Sequence, residues 1–281
     1  MGNLKNIVLA ICLGGAILSL SNNLSASEGK ILMLATTTSL DNTGLLDVLA
    51  DAFKAKTGIK LNWVAVGTGQ AIKLAKDGNA DVVLVHAKKA EEKFMKDGYG
   101  VNRRVIARNY FMVVGPENDP AQVAKAKDIK EALLLIKNSS SPFISRGDKS
   151  GTHLRELELW NLVGGKPGKN YMETGQGMAQ TLRVTMEKQG YTLTDSATFY
   201  GVEGIKGLKV FIEKTPELEN IYAVIVVNPF KIKTTNYFYA MEFVAFLTSP
   251  EGQRIIRDFK NKNSLGLFEP MADKEGIDLS K

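Results

Sequence analysis

Small hydroxyl residues and glycines follow a short apolar strand at three places in this sequence. The three loops are Thr36–Ser39 after Ile31–Ala35, Gly67–Gly69 after Leu61–Val66, and Arg146–Thr152 after Pro142–Ser145. A helical pattern begins directly after each loop, and the start of a helix carries unpaired N–H groups and a partial positive charge. Several such loops converging on one cleft would hold a small anion with no cofactor and no metal cation.

Residues of these loops are the candidate anion ligands. They are Thr37, Thr38, Ser39, Thr68, Arg146, Ser150, Gly151 and Thr152. Arg146 can bind a tetrahedral oxyanion through its fork of donors, with Asp148 orienting the guanidinium or capping the next helix. The alternatives are purely structural: an N-cap in the first loop with Ser39 or Asp41 as the cap, a tight turn in the second, and a surface turn before a capped helix in the third. Gly175–Gly177 is a weaker fourth copy of the pattern.

The residues that other chemistries need are sparse, and no catalytic set is predicted. The two histidines, His86 and His153, lack paired metal-ligand spacing, and we expect His153 to pack in the first turn of a helix. The only cysteine is Cys12. A hydrolase using Ser150 with a Lys or His partner is the alternative of a different class, although the Gly-x-Ser-x-Gly context is absent.

The composition is that of a soluble globular protein. Its 281 residues are 44% apolar and 23% charged, with a formal net charge of +6. This length allows one large core or two smaller ones. Positive and negative residues are interspersed, and the aromatic and basic face of a nucleic-acid binder is absent, so no nucleic-acid partner is predicted.

The first 27 residues have the pattern of a secretory signal. Lys5 precedes the uncharged apolar stretch Ile7–Leu20, and Ser25–Ser27 supplies small residues for cleavage. The alternatives are a retained membrane anchor and lipidation at Cys12. Export without disulfides is typical of a bacterial periplasm, which is the predicted location.

Strand and helix patterns alternate along the chain, which predicts an α/β fold with parallel sheet. The alternation restarts after Pro116 and near Asn228. We therefore expect two lobes joined by two crossings of the chain, residues 28–115 plus 226–281 and residues 116–225, with the ligand in the cleft between them. Predicted elements include a helix from Ser39–Asp41 to Gly58, a strand Arg108–Val114, one long helix or hairpin over Ala121–Lys137, and a strand Ile221–Val227.

A set of motifs in order resembles one known family. The motifs are Ala35–Ser39, Val66–Gln70, Asn79–His86, Phe143–His153, Gly175–Met178 and Tyr191–Asp195. Together they resemble the periplasmic tungstate-binding proteins of tungstate ABC transporters, over essentially the whole mature chain. The resemblance implies a periplasmic binding protein of type II that traps tungstate and delivers it to a permease driven by an ATPase. It also implies oxyanion contacts from Thr37 to Ser39, Arg146 and Thr152; we expect a monomer.

The residue types leave the identity of the oxyanion open. Tungstate, molybdate and sulfate carry no proton at neutral pH and need donors alone, whereas monohydrogen phosphate also needs an acceptor for its proton. Asp41 or Asp148 could supply that acceptor, although the first loop holds hydroxyls and no acid. The preference for tungstate over molybdate, sulfate or phosphate rests on the resemblance.

Overall fold

The computed structural model of this protein describes residues 29–260 and 266–272. Its strands are β1 Ile31–Thr37, β2 Lys60–Val66, β3 Val82–Val85, β4 Gly100–Pro116, β5 Phe143–Ser145, β6 Tyr171–Glu173, β7 Thr192–Asp195, β8 Leu208–Glu213, β9 Glu219–Val227 and β10 Glu269–Pro270. Its helices are α1 Thr38–Asp41, α2 Leu45–Thr57, α3 Thr68–Lys76, α4 Lys88–Lys96, α5 Ile129–Asn138, α6 Gly151–Asn161, α7 Met178–Lys188, α8 Ser196–Gly201, α9 Tyr237–Thr248 and α10 Pro250–Asp258. The predicted signal segment, with Cys12, lies outside the described residues.

The main sheet is mixed rather than parallel. Its strands lie in the order β10-β4-β9-β3-β1-β2. β1 is parallel to β2 and β3, as predicted, but β9 is antiparallel to both β3 and β4. The α/β class is therefore correct, and within the main sheet the expectation of parallel pairing is correct only for the strands nearest the N-terminus.

The long strand β4 takes part in two groups of strands. Its first part, Gly100–Tyr110, pairs with β9, while Phe111–Val114 pairs with β7 and Met112–Pro116 pairs with β8. We call the β10-β4-β9-β3-β1-β2 group with its helices the first lobe, and β7, β8 and the second part of β4, with β5 and β6, the second lobe. The chain returns to the first lobe where β9 begins at Glu219.

Both faces of each strand group are covered, so each lobe has apolar side chains on two sides. On β3, Val82 and Leu84 pack in one core with Phe53 and Phe243, whereas Val83 and Val85 pack in the core on the opposite face. This explains why β3 is an unbroken apolar run.

The pairing change within β4 precedes the predicted lobe boundary at residues 115 and 116, and that boundary stays a prediction.

Several predicted elements have different bounds in the structure. The helix expected from Ser39–Asp41 is interrupted after α1, because Gly44 adopts a left-handed conformation with φ 80° before α2; its predicted end at Gly58 is correct. The predicted strand Arg108–Val114 is part of the longer β4. The predicted helix over Ala121–Lys137 is wrong in its first half, which is a short 3₁₀ turn, and Asp128 caps the start of α5.

Among the described residues, no helix is both long and apolar enough to cross a membrane.

Candidate functional site

The ends of β1, β2 and β3 bring three loops together at one edge of the first lobe. Thr37 of β1 lies beside Val66 of β2, and Thr36 lies beside Leu84 of β3. The residues that follow these strands are therefore neighbours. They are Thr38–Ser39 in α1, Gly67–Thr68 at the start of α3, and His86.

The second lobe presents two loops in the same way. β5 and β6 are parallel, and Ser145 pairs with Glu173 at their ends. Arg146 follows β5 directly, and Gly175–Gly177 follows β6. These loops begin α6 and α7, so the second lobe turns two helix starts and one guanidinium toward the first lobe.

A cleft of about 430 Å³ lies between the two sets of loops. The first lobe lines it with Thr38 and Ser39, and the second lobe lines it with Arg146, Asp148 and the loop Gly175–Gly177. Three candidate residues thus share this cleft. The start of α7 lines it too, although sequence reasoning left this fourth copy of the pattern out of the candidate set.

Arg146 is held by Asp148 in a bent loop. The Nε and Nη2 atoms of Arg146 donate to Asp148 Oδ2 at 3.1 and 2.5 Å, and the backbone N–H of Ser150 donates to Asp148 Oδ1 at 3.1 Å. Gly147 makes the bend with φ 63°, and a Cβ there would lie 2.7 Å from Glu173 Cβ. Asp148 therefore orients Arg146, as one of the two expected roles states, whereas the cap of α6 is Ser150 rather than Asp148.

Electrostatics keep this pair charged and the Arg146 side chain fixed. Burial would raise the pKa of Asp148, but the hydrogen bonds from Ser150 and the charge of Arg146 outweigh it and lower that pKa. Arg146 is only 4% exposed. A buried guanidinium with two of its donor nitrogens committed to a carboxylate keeps Nη1 for another acceptor.

Two candidate hydroxyls are buried without a hydrogen-bond partner. Thr68 Oγ1 at the start of α3 and Thr152 Oγ1 in the first turn of α6 have none within the described protein. Their residues are 0% and 1% exposed. Gly151, which precedes Thr152, approaches Thr68 from the other lobe, since a Cβ on Gly151 would be 3.5 Å from Thr68 Oγ1. Neither threonine is among the residues that line the 430 Å³ cleft. Leaving a buried hydroxyl unpaired is costly, so these two groups are suited to a ligand oxygen.

Helix starts add backbone donors beside these hydroxyls. α3 begins after Gly67 and α7 begins after Gly177, and neither glycine offers a side-chain cap. α1 and α6 are capped differently: Thr37 Oγ1 accepts from Leu40 N, and Ser150 Oγ accepts from His153 N. The first and third loops thus each hold an N-cap, as the structural alternatives propose, but the cap in the first loop is Thr37 rather than Ser39 or Asp41.

A buried network that sequence reasoning missed lies behind Ser39. Ser39 Oγ contacts His86 Nε2 at 3.0 Å, and His86 Nδ1 contacts Asn220 Oδ1 at 2.8 Å. Asn220 Nδ2 donates to Asn109 Oδ1 at 2.7 Å and to the Tyr222 hydroxyl at 3.1 Å. The His86 ring stacks on Tyr222 with centroids 4.8 Å apart. Burial lowers the pKa of His86, so its imidazole is neutral at pH 7.

The second histidine, His153, lies in the first turn of α6, as expected, and contacts the loop before that helix. His153 Nδ1 accepts from the backbone N–H of Lys149 at 3.0 Å, and burial lowers the pKa of His153. Within residues 29–260 and 266–272, no group of three or more His, Cys, Asp or Glu side chains is arranged to hold a metal ion.

Comparison with known proteins places this architecture in a family. The family model described as a PBP superfamily domain matches residues 24–251. The tungstate-binding protein TupA of Peptoclostridium acidaminophilum is 40% identical over 98% of this chain and 100% of its own length.

Solved structures give the same relationship. The tungstate-binding protein TupA of Desulfovibrio alaskensis G20 has a TM-score of 0.77 and 42% identity, covering 86% of this chain and 98% of its own. A structure described as the tungstate ABC transporter from Geobacter sulfurreducens has a TM-score of 0.75 and 46% identity, covering 82% of this chain and 98% of its own. This chain belongs to the PBP superfamily and, within it, to the TupA family of tungstate-binding proteins.

Proposed function

We propose that this protein captures tungstate between its two lobes and delivers it to the permease of an ABC importer, which an ATPase drives. Molybdate, sulfate and phosphate are the alternative ligands of the same class. The candidate ligands are the loops at Thr37–Ser39, Thr68, Arg146 and Ser150–Thr152. The observation that carries the proposal is the pair of buried, unpartnered hydroxyls at Thr68 and Thr152, which lie at helix starts of different lobes.

The charge of the cleft favours an unprotonated oxyanion. Asp148 is the carboxylate among the residues that line the cleft, and both of its oxygens already accept hydrogen bonds from Arg146 and Ser150. The other candidate acceptor, Asp41, accepts from Trp63 Nε1 at 2.6 Å. Asp41 is absent from the cleft lining, and the proton of monohydrogen phosphate would have to compete with the protein donors that Asp148 already holds. A dianion that needs donors alone fits this set, because a buried charge must have its oxygens paired.

Lobe closure follows from the division of the donors. Thr68 and Ser39 belong to the first lobe, whereas Arg146 and Thr152 belong to the second. An oxyanion bound to one set of donors gains the second set only when the lobes approach, so it shifts the population toward the closed form.

The choice of tungstate over molybdate rests on the names of the relatives. Export to the periplasm by the predicted signal segment would bring the protein to the permease, and we expect it to act as a monomer.

Isothermal titration of the purified protein with tungstate, molybdate, sulfate and phosphate at pH 7.5 tests this function. We expect tungstate to bind most tightly and phosphate to bind at least about 100-fold more weakly, a difference of about 2.7 kcal/mol. Phosphate affinity equal to that of tungstate would contradict the donor-only site. Absence of binding by all four anions would contradict the function itself.

A further inference from the structure

The hydrogen-bond partners of His86 indicate that the Ser39 hydroxyl directs its hydrogen toward His86. Asn220 Nδ2 donates to Asn109, so Asn220 Oδ1 is the acceptor that faces His86. His86 therefore carries its hydrogen on Nδ1 and exposes a lone pair on Nε2. Ser39 Oγ, at 3.0 Å, donates to that lone pair.

The direction of this bond fixes the next one. With its own hydrogen committed to His86, Ser39 Oγ accepts from Thr37 Oγ1 at 3.2 Å, and Thr37 Oγ1 in turn accepts from Leu40 N. Ser39 is 7% exposed and lines the cleft. In this state it offers an incoming anion lone pairs, which repel the anion.

We infer that His86 takes up a proton when the oxyanion binds, and that this proton turns Ser39 into a donor to the ligand. The inference rests on the proposed function. With hydrogens on both ring nitrogens, His86 Nε2 donates to Ser39 Oγ while Nδ1 still donates to Asn220 Oδ1. Ser39 then directs its own hydrogen into the cleft. The proton comes from solvent, and the imidazolium adds a positive charge behind the bound dianion. His86 is thus a positioning residue that acts through Ser39.

The charged and titratable groups around His86 are compatible with this change. Burial opposes the charged ring most and lowers the pKa of His86; Asp195, at the end of β7, favours the charged ring, and Arg146, in the loop after β5, opposes it. Tyr222 of β9 stacks against the ring and is itself held neutral, because burial raises its pKa well above the ordinary value. On the opposite side His86 shares a space of about 290 Å³ with charged side chains from several elements, namely Lys88, Lys89, Arg155, Glu158 and Glu219. A dianion in the cleft opposes Arg146 and adds to Asp195, which shifts the balance toward imidazolium.

The other histidine cannot take this role without breaking a contact. His153 Nδ1 accepts from Lys149 N, so its hydrogen is on Nε2. A second hydrogen on Nδ1 would remove the acceptor for that backbone N–H. His153 is therefore the matched control for His86, since the sequence holds two histidines and both are buried.

Calorimetric titration of the protein with tungstate in two buffers of different ionisation enthalpy tests the inference. At pH 7.5 the difference in apparent binding enthalpy between the two buffers, divided by the difference in their ionisation enthalpies, gives the number of protons taken up per tungstate. We expect close to one proton per tungstate for the parent, so that affinity falls about tenfold per pH unit in this range. His153→Gln should keep this proton uptake. His86→Gln and Ser39→Ala should lose the proton uptake; both should still bind tungstate, but more weakly than the parent does.

Nitrogen NMR of protein labelled at histidine supplies a readout that does not depend on the variants. The free protein should show His86 as the Nδ1–H tautomer, and saturation with tungstate should convert that ring to imidazolium and leave His153 unchanged. An Nε2–H tautomer in the free protein, no proton uptake by the parent, or uptake retained in His86→Gln would overturn the inference. Absence of tungstate binding by the parent would instead contradict the proposed function, and it is read from the same titration.

Discussion

Replacing Arg146 by Ala should weaken oxyanion binding by about 2–4 kcal/mol, or roughly 30-fold to 900-fold in Kd. The side chain is 4% exposed, and two unit charges 4 Å apart in such a site interact by about 4 kcal/mol at an effective dielectric constant of 20. The variant also leaves the Asp148 carboxylate without its partner. The hydrogen bonds from Ser150, which also lower the pKa of Asp148, remain in the variant, so we expect this carboxylate to stay ionised at pH 7 and to repel the anion.

A double-mutant cycle separates these two effects. Asp148→Ala alone should cost about 1 kcal/mol, because Arg146 keeps its charge but loses the carboxylate that fixes it. The double variant should bind more tightly than Arg146→Ala alone, since the repelling carboxylate is gone. Arg146→Lys should lie between the parent and Arg146→Ala, because an ammonium keeps the charge without the planar fork.

Titration calorimetry with tungstate measures the affinities of the parent and the four variants, and thermal unfolding without ligand verifies that each variant is folded. Two results would refute the reasoning. An Arg146→Ala variant that binds within about threefold of the parent would remove Arg146 from the site. A double variant weaker than Arg146→Ala would mean that Asp148 contacts the ligand in its own right.

Three further predictions concern hydroxyls, a buried acid and an ion pair between the lobes. Thr68→Val should stabilise the ligand-free protein by about 1 kcal/mol and weaken tungstate binding, because it deletes an unpartnered buried hydroxyl; Thr185→Val, whose hydroxyl donates to a helix carbonyl, should affect neither binding nor closure. Burial raises the pKa of Glu156 from 4.5 to about 7, so the penalty for ionising it in the folded state is complete above pH 7 and absent below pH 4.5. Glu156→Gln should therefore add about 3 kcal/mol to the free energy of unfolding at pH 8 and nothing at pH 4.5, and equal gains at both pH values in urea titrations would contradict this. Lys89 bridges the lobes to Glu158 at 2.8 Å but is 82% exposed, so Lys89→Ala should change the tungstate Kd by less than about threefold, and a larger change would contradict the exposed-pair argument.

The sequence was informative where local residue types decide the structure. The apolar run Ile221–Val227 predicted a strand, Gly58 predicted the end of a helix, and hydroxyl and glycine loops predicted helix starts that meet at a cleft. The start of β4 was hidden because Arg103 interrupts its apolar pattern; in the fold that arginine pairs with Glu91, which is fully buried. The buried glutamate thus compensates the charge of an arginine inside a strand, and a local sequence pattern does not reveal that the two residues meet in the fold.

The second layer of the site could not be predicted for the same reason. His86 and Asn220 are 134 positions apart in sequence, and neither lies in a motif that indicates contact with the other. Their meeting depends on the antiparallel pairing of β3 with β9, whereas alternation of strands and helices favoured parallel pairing. The candidate ligands, by contrast, each lie at the end of one strand and the start of one helix, which a local pattern can reveal.

The central claim is that a donor-only site between the starts of α3 and α6 encloses one tungstate. A crystal structure of the tungstate complex, with anomalous diffraction recorded at a tungsten absorption edge, tests it most directly. We predict one strong anomalous peak between the lobes, with oxyanion oxygens within hydrogen-bonding distance of Thr68 Oγ1, Thr152 Oγ1 and the Arg146 guanidinium. A peak elsewhere on the protein, or oxygens that leave both threonine hydroxyls without a partner, would contradict the account.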